Sequence, residues 1–366
     1  MLIKIKDIAS KFDIWGDFLW AESYGSGHIN DTYLGVFNQA GYPVRYIFQR
    51  INTNVFKQPE ELMENISRVL EHAKSKLAGR PDATRRALTI VNTCGKLPYY
   101  VDEDGHYWRC YLFIERARTY DILETAEHAY QAARAFGAFQ KLLADIPGGR
   151  LHETIPNFHN TPSRIADFDA ALAKDVKNRA SLAREEIEFV QKMRGMAPVL
   201  LDLAAKGEIP ERITHNDTKL NNVMLDDETG EGICVIDLDT IMPGISLYDF
   251  GDLVRTSVSP AAEDETDLSK VQARMEMFEA LAKGFLDGAD GCLTPKEIEM
   301  MPFSGMLITF EIGVRFLTDF LEGDRYFKVK RENHNLDRCR TQFTLVRRLK
   351  EKENEMKAII ERITGK

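Results

Sequence analysis

The 366-residue chain is 44% hydrophobic and 29% charged, the balance of an ordinary soluble globular protein with room for one large or two medium domains. Its 48 basic and 57 acidic residues leave a net charge of −9, which argues against nucleic acid as a main partner. The start, Met1-Leu2-Ile3-Lys4-Ile5-Lys6-Asp7, lacks a signal-peptide apolar stretch, and no run approaches a membrane span, so the expected location is cytoplasmic and no membrane partner is expected. Cys94, Cys110, Cys234, Cys292 and Cys339 form no C-x-x-C pair, as expected of reduced thiols.

The first third reads as strands. Residues 32–36, 45–51, 87–91 and 107–114 are β-branched or aromatic runs bounded by Gly, Asn and Asp. Between the second and third, residues 59–70 begin with a proline and carry apolar residues at helical spacing. Ahead of the strands, Tyr24-Gly25-Ser26-Gly27-His28-Ile29-Asn30 has the glycines of a loop that lets backbone amides approach phosphates, a pattern that also marks plain hairpins. Gly25, Ser26 and Gly27 are therefore candidate nucleotide contacts. His28 is a candidate contact to substrate or phosphate, or a loop histidine bonded to local backbone.

Beyond Glu115 the pattern becomes helical. Ala129, Ala133, Phe136, Phe139, Leu143 and Ile146 share a face, further helices are expected at about 163–207, 266–288 and 294–322, and an amphipathic helix closes the chain from about Leu336. The expectation is an α+β, two-lobed, protein-kinase-like fold, with a β-rich N-lobe over 1–114 and a mostly helical C-lobe over 115–366. At such a crossover main-chain groups can read the edge of adenine, which makes Phe113, Ile114 and Glu115 candidate nucleotide contacts.

Residues 215–222 read His-Asn-Asp-Thr-Lys-Leu-Asn-Asn, and Ile236-Asp237-Leu238-Asp239 follows a short hairpin. The spacing matches H-x-D-x-x-x-x-N with a later metal-binding Asp, the catalytic loop of kinases that use no Walker-type loop. Phosphoryl transfer to a hydroxyl needs a carboxylate to orient the acceptor and take its proton, a role that suits Asp217. Magnesium offsets the charge and prefers oxygen ligands, which Asn222 and Asp237 supply. Asp239, two residues on along an extended segment, would face the same way as Asp237 and is either a further magnesium ligand or a group that supports one. Lys219 is placed to reach the transferring phosphate. Where V-A-I-K would place a phosphate-binding lysine, the chain has Gln49 and Arg50. Either Arg50 substitutes for that lysine, or backbone and magnesium hold more of the phosphate.

The chain resembles the aminoglycoside phosphotransferase and choline kinase superfamily, and within it the N-acetylhexosamine 1-kinases. The resemblance is carried by residues 24–33, 212–222, 236–244, 248–252, 300–305 and 315–326, with 334–336 and 340–342 in support. It implies transfer of phosphate from ATP, with Mg2+, to the anomeric hydroxyl of N-acetylglucosamine or N-acetylgalactosamine. By the same resemblance Asp217 would orient the 1-hydroxyl, Arg315 and Tyr326 would hold sugar hydroxyls or the acetamido group, and Asp249 would brace the catalytic loop. Other readings are a choline, homoserine or aminoglycoside kinase, for which the acidic run Glu263-Asp264-Glu265-Thr266-Asp267 is the obvious cation site, or a pseudokinase. That run reads more strongly as the start of the next helix.

Overall fold

The computed structural model describes residues 2–25, 29–120 and 125–365. In chain order the first part runs α1 (Leu2–Ala9), β1 (Asp17–Ser23), β2 (Asp31–Gln39), β3 (Tyr42–Arg50), α2 (Pro59–Lys76), α3 (Ala83–Arg86), β4 (Tyr100–Val101), β5 (Tyr107–Leu112) and β6 (Ala117–Arg118). The middle holds α4 (Ala126–Leu143), α5 (Thr161–Lys174), α6 (Arg184–Met193), α7 (Val199–Ala205), β7 (Arg212–Thr214), β8 (Val223–Asp226), β9 (Gly232–Val235) and β10 (Met242–Gly244). The last part is helical: α8 (Ser246–Ser257), α9 (Met275–Ala289), α10 (Pro295–Glu322), α11 (His334–Glu351) and α12 (Glu353–Thr364).

The chain divides into two compact units. The first comprises residues 1–118, 145–155 and 224–242, and the second the remainder. Within the first unit an antiparallel sheet has the order β1-β2-β3-β5-β4. β2 and β3 are joined by Ala40 and Gly41, both with positive φ, the two-residue turn whose twist suits a hairpin. One face of the sheet packs Phe37, Phe48, Trp108 and Cys110 against Ile5, Ile8 and Phe12. The returning segments are tied in by hydrogen bonds. β6 pairs with β8, and the fully buried Asn65 of α2 donates to the carbonyls of His152 (2.9 Å) and Ile241 (3.0 Å).

α1 and β1 are additions to the sequence expectation. Most β1 side chains are exposed, so no apolar alternation announces the strand. Residues 87–91 do not form the expected strand. They line β5 through a single bridge, Ile90 to Tyr111, with the amides of Val91 and Leu112 bonding the carbonyls of Cys110 and Thr89.

In the second unit α4 and α9 approach closely enough for backbone to touch backbone. A Cβ on Gly137 would lie 2.2 Å from the Phe285 carbonyl oxygen, and one on Gly288 would lie 2.1 Å from that of Arg134. The helical patterns expected over 163–207 form three helices, the first ending at Asp175 in a left-handed conformation. The expected 266–288 helix starts only at Met275, and the acidic run leads instead into a short 3-10 turn capped by Asp267. α10 starts with a Thr294/Glu297 capping box, in which each side chain bonds the other's backbone amide. Its Glu297 also takes a paired contact from Arg212 at 2.7 and 2.8 Å. Contrary to the expectation that no run approaches a membrane span, this 28-residue helix has the length and composition of one. Its most apolar stretch is, however, 78% buried, which makes it a core helix.

Gly288→Ala places a methyl group in the α4–α9 backbone contact. Alanine is the better helix former by about 1 kcal/mol, but overpacking at this site outweighs that gain, for an expected net destabilisation of about 1–2 kcal/mol. Urea unfolding followed by circular dichroism measures it.

Candidate functional site

Thr214 ends β7, and the chain turns sharply at Asn216, which has φ of +65°, a conformation asparagine tolerates better than most residues. Asp249, fully buried on α8, holds this turn. Its carboxylate accepts the amides of His215 (3.0 Å) and Asn216 (2.7 Å) and the side-chain amide of Gln140 (2.6 Å). Its own carbonyl accepts the Thr218 hydroxyl at 2.6 Å. Burial pushes the Asp249 carboxyl up from its ordinary pKa, against the pull of His215 and these hydrogen bonds. His215 is completely buried, edge-on to Phe136 and Phe139, and its Nδ1 accepts the Asp217 amide at 3.3 Å. His159 spans from Glu311 (2.8 Å) to the Asn216 carbonyl (3.2 Å).

The loop so held presents Asp217, Lys219 and Asn222 together. Lys219 Nζ lies 2.8 Å from Asp217 Oδ1, and Asn222 Nδ2 donates to the Asp217 carbonyl at 2.7 Å and to its carboxylate at 3.2 Å. Desolvation works to raise the Asp217 carboxyl, but the charge and hydrogen bond of Lys219, with His215 and Arg255 beyond, hold it below the ordinary range. Lys219 is raised, because Asp217 and Asp252 outweigh its own desolvation. With Nδ2 committed to Asp217, the Asn222 amide oxygen accepts no hydrogen bond among the described residues. It is a hard oxygen donor of the kind magnesium takes.

Arg315 and Tyr326 also come together in this unit. The Arg315 guanidinium lies 5.4 to 5.7 Å from the ring centres of Phe158, Tyr326 and Phe327 and makes no hydrogen bond or ion pair among the described residues. Burial lowers its pKa, and the neighbouring charge of Arg164 acts the same way. Glu311 is close enough to be felt electrostatically, but its two oxygens are taken by His159 and Thr161. Tyr326 is 63% exposed. The loop that carries it is pinned by Asp319, whose carboxylate accepts the amides of Arg325, Tyr326 and Phe327 at 2.8 to 3.0 Å.

The first unit holds the other candidates. Asp237 adopts a left-handed conformation with φ and ψ both 57°, and Leu238–Thr240 forms a 3-10 turn. The segment is therefore not extended, and the expectation that Asp239 faces the same way as Asp237 along a strand is corrected. Asp239 is 3% exposed. It forms a close ion pair with Arg109 and accepts Asn30 Nδ2 at 2.5 Å. Arg50 is paired with Asp31 at the surface, and Gln49 accepts Arg109 Nε at 2.9 Å and donates to Thr32. Gly25 has φ of +78°, whereas Ser26, Gly27 and His28 lie outside the described residues. Phe113 packs against Tyr24 and under Arg45. The Glu115 carbonyl is taken by Arg85 at 3.0 Å, while the main chain of the buried Ile114 bonds to nothing among the described residues.

Arg109, His159 and Glu311 were not singled out from the sequence, and Asn30 was named only as the end of the glycine-containing loop. For each, only the approach of distant segments reveals its partner. The acidic run offers no open carboxylate cage. Glu263 pairs with Arg255, Asp264 with His334 and Glu265 with Lys270, and Asp267 caps its own turn.

The model of the phosphotransferase enzyme family (APH) matches residues 20–282. An aminoglycoside phosphotransferase from Alicyclobacillus acidocaldarius is 14% identical, with 98% of this chain and 96% of that one covered at a TM-score of 0.61. A choline kinase from Cryptosporidium parvum is also 14% identical, over 99% and 98% of the chains, with a TM-score of 0.59. A spectinomycin phosphotransferase solved with ADP and spectinomycin is 11% identical over 95% and 97%, at 0.54. These likenesses are of fold, with an antiparallel sheet towards the N-terminus and helices towards the C-terminus, as in protein kinases.

Replacing Asp249 with Ala leaves the amides of His215 and Asn216 and the Gln140 side chain without their acceptor. The expected cost is about 3 kcal/mol, read from the shift in chemical denaturation midpoint.

Proposed function

Because the chain belongs to the phosphotransferase enzyme family, we propose that it is an ATP-dependent kinase of small hydroxylated molecules, acting on the anomeric hydroxyl of N-acetylhexosamines. The observation that carries the choice of acceptor is Arg315, a half-buried guanidinium that meets no hydrogen-bond acceptor among the described residues and stands beside an exposed tyrosine. Such a group favours ligands that bring oxygen acceptors, as sugar hydroxyls and an acetamido carbonyl do, and repels an ammonium. The acidic run, the alternative site for a cationic acceptor, already has its charges partnered.

In this reading Asp217 orients the 1-hydroxyl and takes its proton as the oxygen forms a bond to the γ-phosphorus. The bond from that phosphorus to the β-phosphate oxygen breaks, and ADP leaves with the electron pair. Lys219, which neutralises Asp217 in the ligand-free protein, moves its charge toward the transferring phosphoryl group. When bound, magnesium supplies positive charge to the phosphates. The ligand roles of Asn222 and Asp237 rest on their oxygen chemistry and sequence spacing, that of Asn222 also on its unengaged amide oxygen. The unbonded main chain of Ile114 suits a group that reads the edge of adenine. The intact Asp217, Lys219 and Asn222 constellation argues against a pseudokinase.

A phosphate-transfer assay with ATP and magnesium across N-acetylglucosamine, N-acetylgalactosamine, glucose, choline, homoserine and kanamycin tests the reading. Turnover is expected on the N-acetylhexosamines. Asp217→Asn should lower kcat by about 10²–10⁴-fold with unchanged circular dichroism, and Arg315→Met should raise the acceptor KM while leaving that for ATP alone. Turnover only on a cationic acceptor would overturn the choice of sugar.

The Asp217 carboxyl is depressed in the folded protein, so the proposed base itself stays ionised as pH falls to the ordinary carboxylate range, about 4. Lys219→Met removes the main cation that holds it there. The acid limb of kcat/KM should therefore move to higher pH, which a pH–rate profile of the residual activity records.

A further inference from the structure

Cross-strand pairing places Arg109 of β5 directly opposite Gln49 of β3, and directly opposed residues share a face of the sheet. The guanidinium of Arg109 thus reaches the position where sequence comparison expects a phosphate-binding lysine and finds none. It is 1% exposed. Nε donates to Gln49 at 2.9 Å, and Nη1 forms the ion pair with Asp239 Oδ1. Neither Nη1 nor that oxygen forms a regular hydrogen bond with any described group. The other Asp239 oxygen accepts from Asn30, whose own Oδ1 accepts the Asn52 amide at 2.9 Å. Two residues further on, the Ile241 carbonyl is held by Asn65 of α2.

The turn that follows β9 is therefore fixed from three sides, by β5, by the segment before β2 and by α2. All of these groups lie in the first unit. Asp237, in a left-handed conformation at the start of the turn, has little freedom once Asp239 is locked. A buried charge pair of this kind adds little net stability, since desolvation consumes most of the attraction, but it imposes one geometry on what it joins.

We propose that Arg109 is a positioning residue for the metal-binding turn: by locking Asp239 it sets the carboxylate of Asp237 for magnesium. Asp239 in this arrangement is the strut and not a ligand. The proposal rests on the phosphotransferase reading, and its test separates the two.

The test is calorimetric binding of ADP, with magnesium and again in EDTA, for the wild type, Arg109→Met, Arg109→Lys, Asp239→Asn and the Arg109→Met/Asp239→Asn double variant. Thermal unfolding of each unliganded protein is followed alongside. Loss of a residue that orients a metal ligand costs about 10- to 100-fold in metal affinity. Arg109→Met and Asp239→Asn should each weaken magnesium-dependent ADP binding by that factor and leave binding in EDTA unchanged, and the double variant should lose no more than either single one. Arg109→Lys retains the buried charge but cannot hold Gln49 and Asp239 in one fork. Its partial loss of the magnesium increment decides the matter if Arg109→Met does not fold.

A lower melting temperature with both affinities intact would make the pair purely structural and overturn the proposal. So would loss of the magnesium increment in Asp239→Asn but in neither Arg109 variant, because Asp239 would then ligate the metal itself. Failure of the wild type to bind ADP under either condition would remove the kinase reading along with the role of Arg109.

Discussion

The loop that carries Asp217, Lys219 and Asn222 depends on one buried carboxylate. Asp249 has no access to solvent and stands in for water as the acceptor of two consecutive backbone amides that no regular element satisfies. An isolated buried charge is expensive, so the arrangement persists only because Gln140 also donates to the carboxylate and the loop closes over it through Thr218. With His215 and Asn216 fixed there, the backbone leads Asp217 out of the core toward solvent. The position of Asp217, the proposed base, is thus set by hydrogen bonds to its neighbours, and Lys219 and Asn222 finish the orientation from the side.

How legible this was in the sequence varied with the range of the interaction. The loop from His215 to Asn222 was visible because its groups act over a few residues, so that spacing stands in for geometry. The hairpin strands and α2 were visible from alternation and from a proline at the helix start. β1 was not, since its side chains mostly face solvent, and the helix expected from 266 was misplaced because Asp267 caps a separate short turn. Asp239 shows the limit most clearly. Its identity suits a magnesium ligand or a group that supports one on an extended chain, whereas a left-handed residue two positions earlier redirects it toward Arg109 of the sheet. Nothing near Arg109 in the sequence indicates that it will meet a carboxylate 130 residues away, and a single arginine within a strand carries no periodic signal.

Charge is handled differently around the two groups of candidates. The carboxylates near α8 and α11 each have an arginine, histidine or lysine neighbour, with Arg255 shared by Asp252 and Glu263 and Lys270 by Glu265 and Asp267. Arg315 is the opposite case, a guanidinium surrounded by rings and the charge of a second arginine. Cation–π contact offsets only part of its desolvation.

The glycines between α4 and α9 carry a consequence for how this chain can vary. α4 supplies Phe136 and Phe139 to the face of His215 and Gln140 to Asp249, and its distance from α9 is set by backbone contact at Gly137, Gly284 and Gly288. A side chain at any of the three pushes the helices apart and moves the platform on which the loop rests. Sequence drift is thereby constrained at positions that touch neither nucleotide nor acceptor. The loop around Tyr326 is the opposite case, with its backbone anchored by Asp319 while the exposed Tyr326 side chain remains open to exchange.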